Sequence, residues 1–243
     1  MNLTFNKSQF VNNILSPVSK LSDNLLLDFQ EISKDSWITK TTVNSTDNSV
    51  ILLADINCKI SGDPFRCVVP SCTTFLRLFA GIDVEDIQLK IDSNVVKYKD
   101  SSFSFKYHLL DESYIISKKS ISEEKLKSIS FDTTFTITKQ KFSEIIKFNS
   151  IAPDAEKLYF YTEDNLVMAK IGDELKTNTN EIITNVSQTF EGKPLLEHFP
   201  VNILNILLFC FNSPEITISI NHQLKIFKFA VPNLTYIVSG LVK

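Results

Sequence analysis

The spacing of apolar residues at the start of the chain changes from that of a strand to that of a helix. The stretch LTFNKSQFVNNI, residues 3–14, alternates apolar and polar positions as far as Phe5 and then repeats apolar residues at helical spacing. Asn6 stands at the boundary as a good helix N-cap, and Gln9 follows three residues later as in a capping box. The opening therefore predicts a short strand followed by an amphipathic helix.

A related stretch, FTITKQKFSEII, occupies residues 135–146 and predicts the same two elements. Matching residues fall in register at one constant offset: Thr4 and Thr136, Lys7 and Lys139, Phe10 and Phe142, Ile14 and Ile146. Thr138 takes the N-cap position that Asn6 holds in the first stretch. Chance recurrence of a strand and a helix is the alternative, but the order of the elements that follow favours an internal duplication.

Both halves continue with a run of strands, a second helix that follows a proline, and three alternating strands. The strands before the second helix are predicted at residues 24–30, 37–43, 50–56 and 65–69 in the first half, and at residues 158–162, 166–171, 181–187 and, weakly, 195–199 in the second. The second helices are predicted at residues 72–80 and 201–211. The pattern predicts an α+β fold with domains at residues 1–110 and 131–243, joined by a polar connector at residues 111–130.

Composition and charge limit the classes of protein to consider. The chain has 243 residues, enough for two domains, and a net charge of −3, although such a chain can still concentrate positive charge on one face. Its longest apolar stretch, residues 203–211 interrupted by Asn205, is far shorter than the ~20 residues of a membrane span. The four cysteines show no C-x-x-C spacing, which is typical of reduced structural cysteines. We therefore expect an intracellular protein that does not cross a membrane.

Residue types that carry catalysis are sparse or isolated. The five glycines form no phosphate-binding loop, and the three histidines lie apart from one another and from the cysteines. Asp83, Glu85 and Asp86 form one acidic cluster that could bind Mg²⁺, although adjacent acids in a loop are more often simply solvated. We therefore expect a binding or scaffold protein rather than an enzyme, with no cofactor and no metal.

The exposed faces of the four predicted helices are polar to basic. Arg77, one of only two arginines, projects from the second helix of the first half. Lysines lie on the first helix of each half, and the last helix presents asparagines, which can bond phosphate without fixing a base sequence. Each face alone is consistent with ordinary solvation, but four equivalent faces together indicate one shared surface.

With this order of elements, the sequence resembles the sliding clamps of DNA replication, in particular the two-domain clamps of eukaryotes, archaea and tailed phages. The resemblance rests on the paired openings quoted above, on the second helices CTTFLRLFAGI and PVNILNILLFCF, and on the closing strands. It implies a duplicated sliding-clamp domain in which two helices pack on curved antiparallel sheets. The second helices are less basic than is usual in that family. The high Asn, Ile, Lys and Ser content suggests an AT-rich genome, as in a phage or virus.

Such a clamp is a homotrimeric ring that encircles double-stranded DNA without reading its sequence. Its partners are a DNA polymerase and a clamp loader, and it acts as a processivity factor rather than as an enzyme. The implied compartment is the host cytoplasm for a phage protein, and otherwise the nucleus or cytoplasm.

The resemblance also implies three sets of site residues. The residues expected to contact DNA in the channel are Lys7, Lys20, Arg77, Lys139, Lys141, Lys147, Asn202 and Asn205. The residues expected at a partner pocket by the connector are Ile115, Ile116, Leu126, Pro232, Ile237 and Ser239. The residues expected at the subunit interface, on strand edges at residues 103–110 and 181–187, are Phe103, Phe105, Tyr107, Glu181, Ile183 and Asn185.

Three alternatives stay open from the sequence. A monomeric viral processivity factor of the same fold would bind DNA without encircling it. A structural β-rich virion protein would give the helix faces no electrostatic role. An enzyme or nuclease accessory protein would need a site that these motifs do not indicate.

Overall fold

The computed structural model describes residues 1–34, 36–111, 113, 125–126, 128–176 and 180–241. The chain divides into two compact units, Met1–Ser120 and Ile121–Lys243. Both units combine a few helices with antiparallel sheets, so the predicted α+β class is confirmed.

The first unit begins with a strand and a helical run over residues 7–21. That run consists of α1 (Lys7–Gln9), a π-helical segment (Phe10–Leu15) and α2 (Ser16–Leu21). The Asn6 side chain accepts a hydrogen bond from the Gln9 backbone N–H, as an N-cap does. Pro17 in the first turn of α2 has no N–H to donate, and the wider π-helical turn lies directly before it. The run therefore stays continuous past the proline, with Val18 fully buried.

The first unit contains eight strands in all and one further helix. The strands are β1 (Asn2–Asn6), β2 (Leu25–Ser33), β3 (Ser36–Asn44), β4 (Val50–Ser61), β5 (Phe65–Val69), β6 (Asp86–Asp92), β7 (Val95–Lys99) and β8 (Ser104–His108), and the helix is α3 (Cys72–Ala80). They pair antiparallel in the order β5-β2-β3-β4-β1-β6-β7-β8. The sheet curls far enough for Val68 and Leu110 to form a β-bridge, which brings its first strand beside the end of its last.

The second unit repeats this arrangement. Its helices are α4 (Lys139–Ile151) and α5 (Ile203–Leu207), and its strands are β9 (Thr133–Thr138), β10 (Lys157–Glu163), β11 (Leu166–Gly172), β12 (Ile182–Ser187), β13 (Glu191–Gly192), β14 (Phe199–Asn202), β15 (Glu215–Asn221), β16 (Ile226–Val231) and β17 (Leu234–Ser239). One sheet has the order β14-β10-β11-β12, and the other has the order β13-β9-β15-β16-β17.

The strand pairing supports the duplication. β10 lies between β11 and β14 as β2 lies between β3 and β5, and β9 pairs with β15 as β1 pairs with β6. In the first unit the end of β4 turns to pair with β1, whereas in the second unit the separate strand β13 pairs with β9. The two units therefore share one topology, with a single long strand in one copy divided into two in the other.

Aromatic side chains join the helices to the sheet in each core. In the first unit the Phe10 ring lies 4.6 Å from that of Phe5 on β1 and 5.3 Å from that of Phe79 on α3. In the second unit Phe209 stacks on Tyr236 of β17 at 4.1 Å, and the Tyr236 hydroxyl accepts from the Cys210 N–H. Burial raises the pKa of Tyr236, so this hydroxyl stays neutral and works as a structural hydrogen-bonding group.

The predicted helix at residues 201–211 is wrong in length. Residues 199–202 instead form β14, an edge strand beside β10, where Pro200 is tolerated because no strand of the described chain pairs on its outer side. The helix α5 spans only Ile203–Leu207, and Phe209 then enters the core in a non-helical segment. This stretch is almost continuously apolar because it forms a strand, a helix and an extended segment in turn, and each of these three elements has buried residues. The weak strand predicted at residues 195–199 is likewise displaced towards β14.

A substitution at the N-cap of α4 tests how much the cap hydrogen bond contributes to stability. The Thr138 side chain accepts a hydrogen bond from the Lys141 N–H at the start of α4. We expect Thr138→Ala to lower the free energy of unfolding by about 1 kcal/mol, because one N–H of the first turn loses its acceptor. Thr138→Ser keeps the hydroxyl and should retain wild-type stability in the same urea titration. Equal stability of the alanine and serine variants would show that the cap contributes nothing measurable.

Candidate nucleic-acid interface

The helices carry a charge bias opposite to that of the chain. Within residues 7–21, α3, α4 and α5 there are six lysines or arginines and a single carboxylate, Glu144, although the whole chain has a net charge of −3. Positively charged helices on an acidic protein concentrate the attraction for anions on the helix faces of each unit.

Two of the three cations on the first unit's helices are exposed. Lys20 lies at the end of α2 and Arg77 lies in the middle of the outer side of α3, opposite buried Phe75 and Phe79. Lys7 is half-buried, and its Nζ donates to the Ile82 carbonyl at 2.5 Å, just beyond α3. Lys7 therefore ties the two helices together, whereas Lys20 and Arg77 remain accessible to phosphate.

The helix α4 presents its cations at both ends of its outer side. Lys139 and Lys147 are exposed, and Lys141 forms an ion pair with Glu144 at 2.9 Å. The hydrogen bond from Lys141 keeps the pKa of Glu144 below its usual value, so the pair stays charged at neutral pH. Lys139 and Lys147 are therefore the more available cations of this helix.

The helix α5 offers no cation. The Asn202 side chain accepts from the Leu204 N–H as the N-cap, so its oxygen is already engaged, and Asn205 is half-buried. Leu204 and Leu207 are exposed on the same helix. These leucines were not singled out from the sequence, because the misplaced helix boundaries hid which apolar residues face outward. Within residues 202–207, Asn202 and Asn205 are therefore the side chains that could bind an anion.

The long, flexible lysines of these helices suit phosphates better than bases. Sequence readout requires side chains held in bidentate geometry against base edges, whereas ammonium groups act as point charges on the backbone. The arrangement can thus attract a polyanion without selecting a sequence.

The residues predicted for a partner pocket do not form one cluster. Ile115 and Ile116 lie outside the described residues. Leu126 and Ile237 are buried, whereas Pro232 and Ser239 are exposed. Pro232 lies in the turn before β17 and Ser239 ends that strand, whose six residues span about 17 Å. A single small pocket cannot include both.

The strand β8 has one side without a strand neighbour in the described part of the chain. Backbone bonds join Leu109 N–H to the Asn94 carbonyl and Asp100 N–H to the Phe103 carbonyl. Because hydrogen-bonded and non-hydrogen-bonded pairs alternate in an antiparallel ladder, Phe105 and Tyr107 also direct their backbone groups towards β7. The N–H and C=O of Lys106 therefore point to the open side.

The predicted interface side chains on this edge mostly face their own domain. Phe105 is buried 5.8 Å from the ring of Tyr98, and Phe103 is half-buried beside it. The Tyr107 hydroxyl donates to the Ser71 carbonyl and accepts from the Ser71 N–H, and burial raises its pKa. What this edge offers a neighbour is its backbone rather than its aromatic rings.

The strand β12 is the second edge, because it pairs only with β11 among the described strands. Ile183 is 52% exposed, which is unusual for a large apolar side chain on a strand edge. Asn185 bonds back to the Val167 carbonyl, and Glu181 pairs with Lys170 at 2.8 Å. Both polar residues thus fasten the strand to its own unit, and Ile183 is the side chain left facing outward.

The acidic cluster considered from the sequence supports a helix. The Glu85 carbonyl accepts from the Lys7 N–H, and hydrogen bonds from the side chain and the backbone N–H of Ser8 to the Glu85 carboxylate lower its pKa. Across the described residues, no group of three His, Cys, Asp or Glu side chains is arranged to hold a metal ion. Nor does that part of the chain contain a helix long and apolar enough to cross a membrane.

Comparison with known proteins gives a clear result for the fold. No protein-family model matches the sequence, and no curated protein matches it either. Among solved structures, A. fulgidus PCNA bound to the C-terminal region of FEN-1 superposes with a TM-score of 0.78 at 12% identity, covering 100% of this chain and 98% of that one.

Bacterial clamps give similar agreement. The DNA polymerase III beta chain of Streptococcus pneumoniae TIGR4 has a TM-score of 0.73 at 15% identity, covering 100% of this chain and 65% of that one. The Helicobacter pylori beta clamp bound to a DNA ligase peptide has a TM-score of 0.72 at 13% identity, covering 99% of this chain and 66% of that one. The chain thus spans about two thirds of the bacterial clamps and nearly the whole archaeal subunit. It has the sliding-clamp fold that its sequence predicts.

Proposed function

We propose that this protein is a DNA sliding clamp, a non-enzymatic factor that encircles duplex DNA and tethers replication proteins to it. The observation that carries the proposal is the charge bias of the helices, six cations to one carboxylate, on a chain that is acidic overall and folds as a clamp. Phosphate attraction confined to the helices of each unit allows contact with DNA of any sequence, and encirclement supplies retention without tight binding.

We infer ring closure from the two open strand edges. In this proposal the outward backbone of β8 pairs with β12 of the next subunit, and Ile183 packs at the junction. A head-to-tail contact between different surfaces must close by rotation, and three two-domain subunits give a pseudo-sixfold ring. The domains are assigned to residues 1–110 and 131–243, with residues 111–130 as the connector between them.

The proposed partners are a DNA polymerase and a clamp loader. Two structural neighbours are bound to segments of replication proteins, one from FEN-1 and one from DNA ligase, which supports a peptide-docking role for the fold. Pro232 is exposed and remains a candidate contact for such a segment. Ile237 is a poor choice for mutagenesis, because aspartate at a position only 6% exposed would test folding rather than binding.

The central experiment measures topological retention without a loader. The protein is incubated with a linear duplex that carries biotin at both ends, streptavidin is then added to block the ends, and the complex is washed in concentrated salt. We expect retention on the blocked duplex and loss from an unblocked one, because salt removes phosphate contacts but cannot unthread a closed ring.

The order of addition provides the control. Streptavidin added before the protein should prevent retention, because the ring then has no free end to thread. Equal release from blocked and unblocked duplexes would contradict encirclement and would favour the non-encircling processivity factor of the same fold.

A further inference from the structure

Three lysines stand directly opposite one another across three strands of the first unit. Lys90 on β6 pairs with Lys97 on β7, and Lys97 pairs in turn with Lys106 on β8. Residues directly opposite in an antiparallel sheet have Cα atoms about 5 Å apart, so the three ammonium groups share one small area. We call Lys90, Lys97 and Lys106 the lysine ladder.

The lysine ladder lies on the side of the sheet that faces away from the helices. The alternate residues on the same strands, such as Leu89, Val96 and Phe105, are buried, and Phe105 packs towards Phe75 and Phe79 of α3. The ladder is therefore separate from the helix surface described above. On this outer face Lys59 of β4 and Lys99 of β7 are also exposed, which extends the cationic area.

The outer side of β6, β7 and β8 carries two carboxylates, Asp86 and Asp92, against four lysines. Asp92 forms an ion pair with Lys97 at 2.8 Å, and the same lysine keeps the pKa of Asp92 below its usual value. In the described residues Lys90 and Lys106 form no ion pair. Like charges directly opposite across strands destabilise a sheet, so the arrangement works against folding stability. A bound ligand of opposite charge would offset the repulsion between the lysines.

We infer that this outer face is a second phosphate-binding surface, which contacts the backbone of duplex DNA lying outside the ring. Charge complementarity identifies the ligand as a polyanion, because up to five lysines lie on one face and the neighbouring polar residues Gln88, Ser104 and His108 can donate further hydrogen bonds. The inference does not rest on ring closure, since the ladder lies within one unit of one subunit.

The composition of the face favours DNA over an acidic protein. Protein interfaces are depleted in lysine and depend on buried aromatic or apolar anchors. The outer side of β6, β7 and β8 offers only the half-buried Val95 as an apolar side chain. Its one aromatic ring is the imidazole of His108, and it presents no Phe, Tyr or Trp ring on which successive unpaired bases could stack, so the phosphates of a duplex suit it better than a single strand.

The test uses covalently closed circular duplex DNA, which a closed ring cannot thread. Binding of the full-length protein is measured over a range of salt concentrations. Lys90→Gln with Lys106→Gln removes two ladder charges and leaves the Lys97–Asp92 pair intact. We expect weaker binding and a fall of up to about 1.8 in the slope of log K against log salt, or about 0.9 for each lost contact.

Two further variants control for net charge and for folding. Lys34→Gln with Lys193→Gln removes the same number of charges from exposed positions elsewhere and should bind the circle as the wild type does. Lys90→Arg with Lys106→Arg keeps both charges and should retain the wild-type slope. The melting temperature of the glutamine ladder variant should equal or exceed that of the wild type, because the like-charge repulsion is relieved.

Two outcomes would overturn the inference. One is an equal effect of the ladder and control variants on the salt slope. The other is a wild-type protein that binds poly-glutamate but not the closed circle, which would indicate an acidic protein partner instead.

Discussion

Proline in place of Lys106 is expected to convert the assembled ring into monomers while leaving each subunit folded. The Lys106 N–H points away from β7, so its loss removes no hydrogen bond within the first unit. On the open side the same N–H would donate to β12 of the neighbouring subunit in the proposed ring. Proline is tolerated on an edge strand because the N–H that it lacks would face away from the sheet. In the proposed ring that N–H faces the neighbouring subunit, so proline removes a hydrogen bond between subunits.

Light scattering of wild type and variant over a dilution series provides the measurement. We expect trimer mass for the wild type at high concentration and monomer mass for Lys106→Pro across the series. Lys106→Gln keeps the N–H and should assemble normally, which separates the backbone effect from loss of the lysine charge. Circular dichroism should show equal strand content in all three proteins. A wild type that remains monomeric at every concentration would exclude the ring.

The opposite edge gives an independent check. Ile183→Lys places a charge at an exposed apolar position on β12, and a charge on a strand edge opposes pairing with another strand. The variant should weaken assembly through its charge alone, because lysine, unlike proline, keeps the backbone N–H. Because Ile183 is about half exposed, the substitution should have little effect on the stability of the unit itself.

Elements with strong periodicity could be predicted from the sequence. The predicted strand at residues 65–69 and the helix at residues 72–80 coincide with β5 and α3, because a proline and a cap residue set their limits. The helix at residues 201–211 was wrong, because apolar residues of a strand, a helix and a buried extended segment follow one another without a polar break. Periodicity cannot divide a run that is buried on every side.

For the candidate site, the sequence could predict only which residues are exposed on the helices. Arg77 and Lys147 lie on outward helix faces, as their spacing indicated. That Lys7 donates to the Ile82 carbonyl depends on how two helices pack, which a single sequence does not show. The lysine ladder depends on the register of three strands, and a shift of one residue in any strand would send its lysine to the other face.

Removing the charges of Arg77 and Lys147 is expected to slow loading onto open-ended duplex DNA without abolishing topological retention. Each is exposed on the outer side of a helix, one in each unit, so Gln at both positions should leave both cores unchanged. The salt slope for binding should fall by up to about 0.9 for each phosphate contact that is lost. Once the duplex ends are blocked, however, retention depends on encirclement, and the double variant should resist concentrated salt as the wild type does.

The combination of these two results identifies the role of the helix surface. Slower loading with normal retention means that the helices attract DNA while the closed ring holds it. Loss of retention in the double variant would mean instead that phosphate affinity alone holds the protein on DNA, as in a non-encircling factor. The Lys34→Gln, Lys193→Gln protein, with the same net charge, should load at the wild-type rate, because only cations that face the encircled duplex can accelerate its entry. An equal loss of loading rate in that protein would assign the attraction to overall charge rather than to the helices.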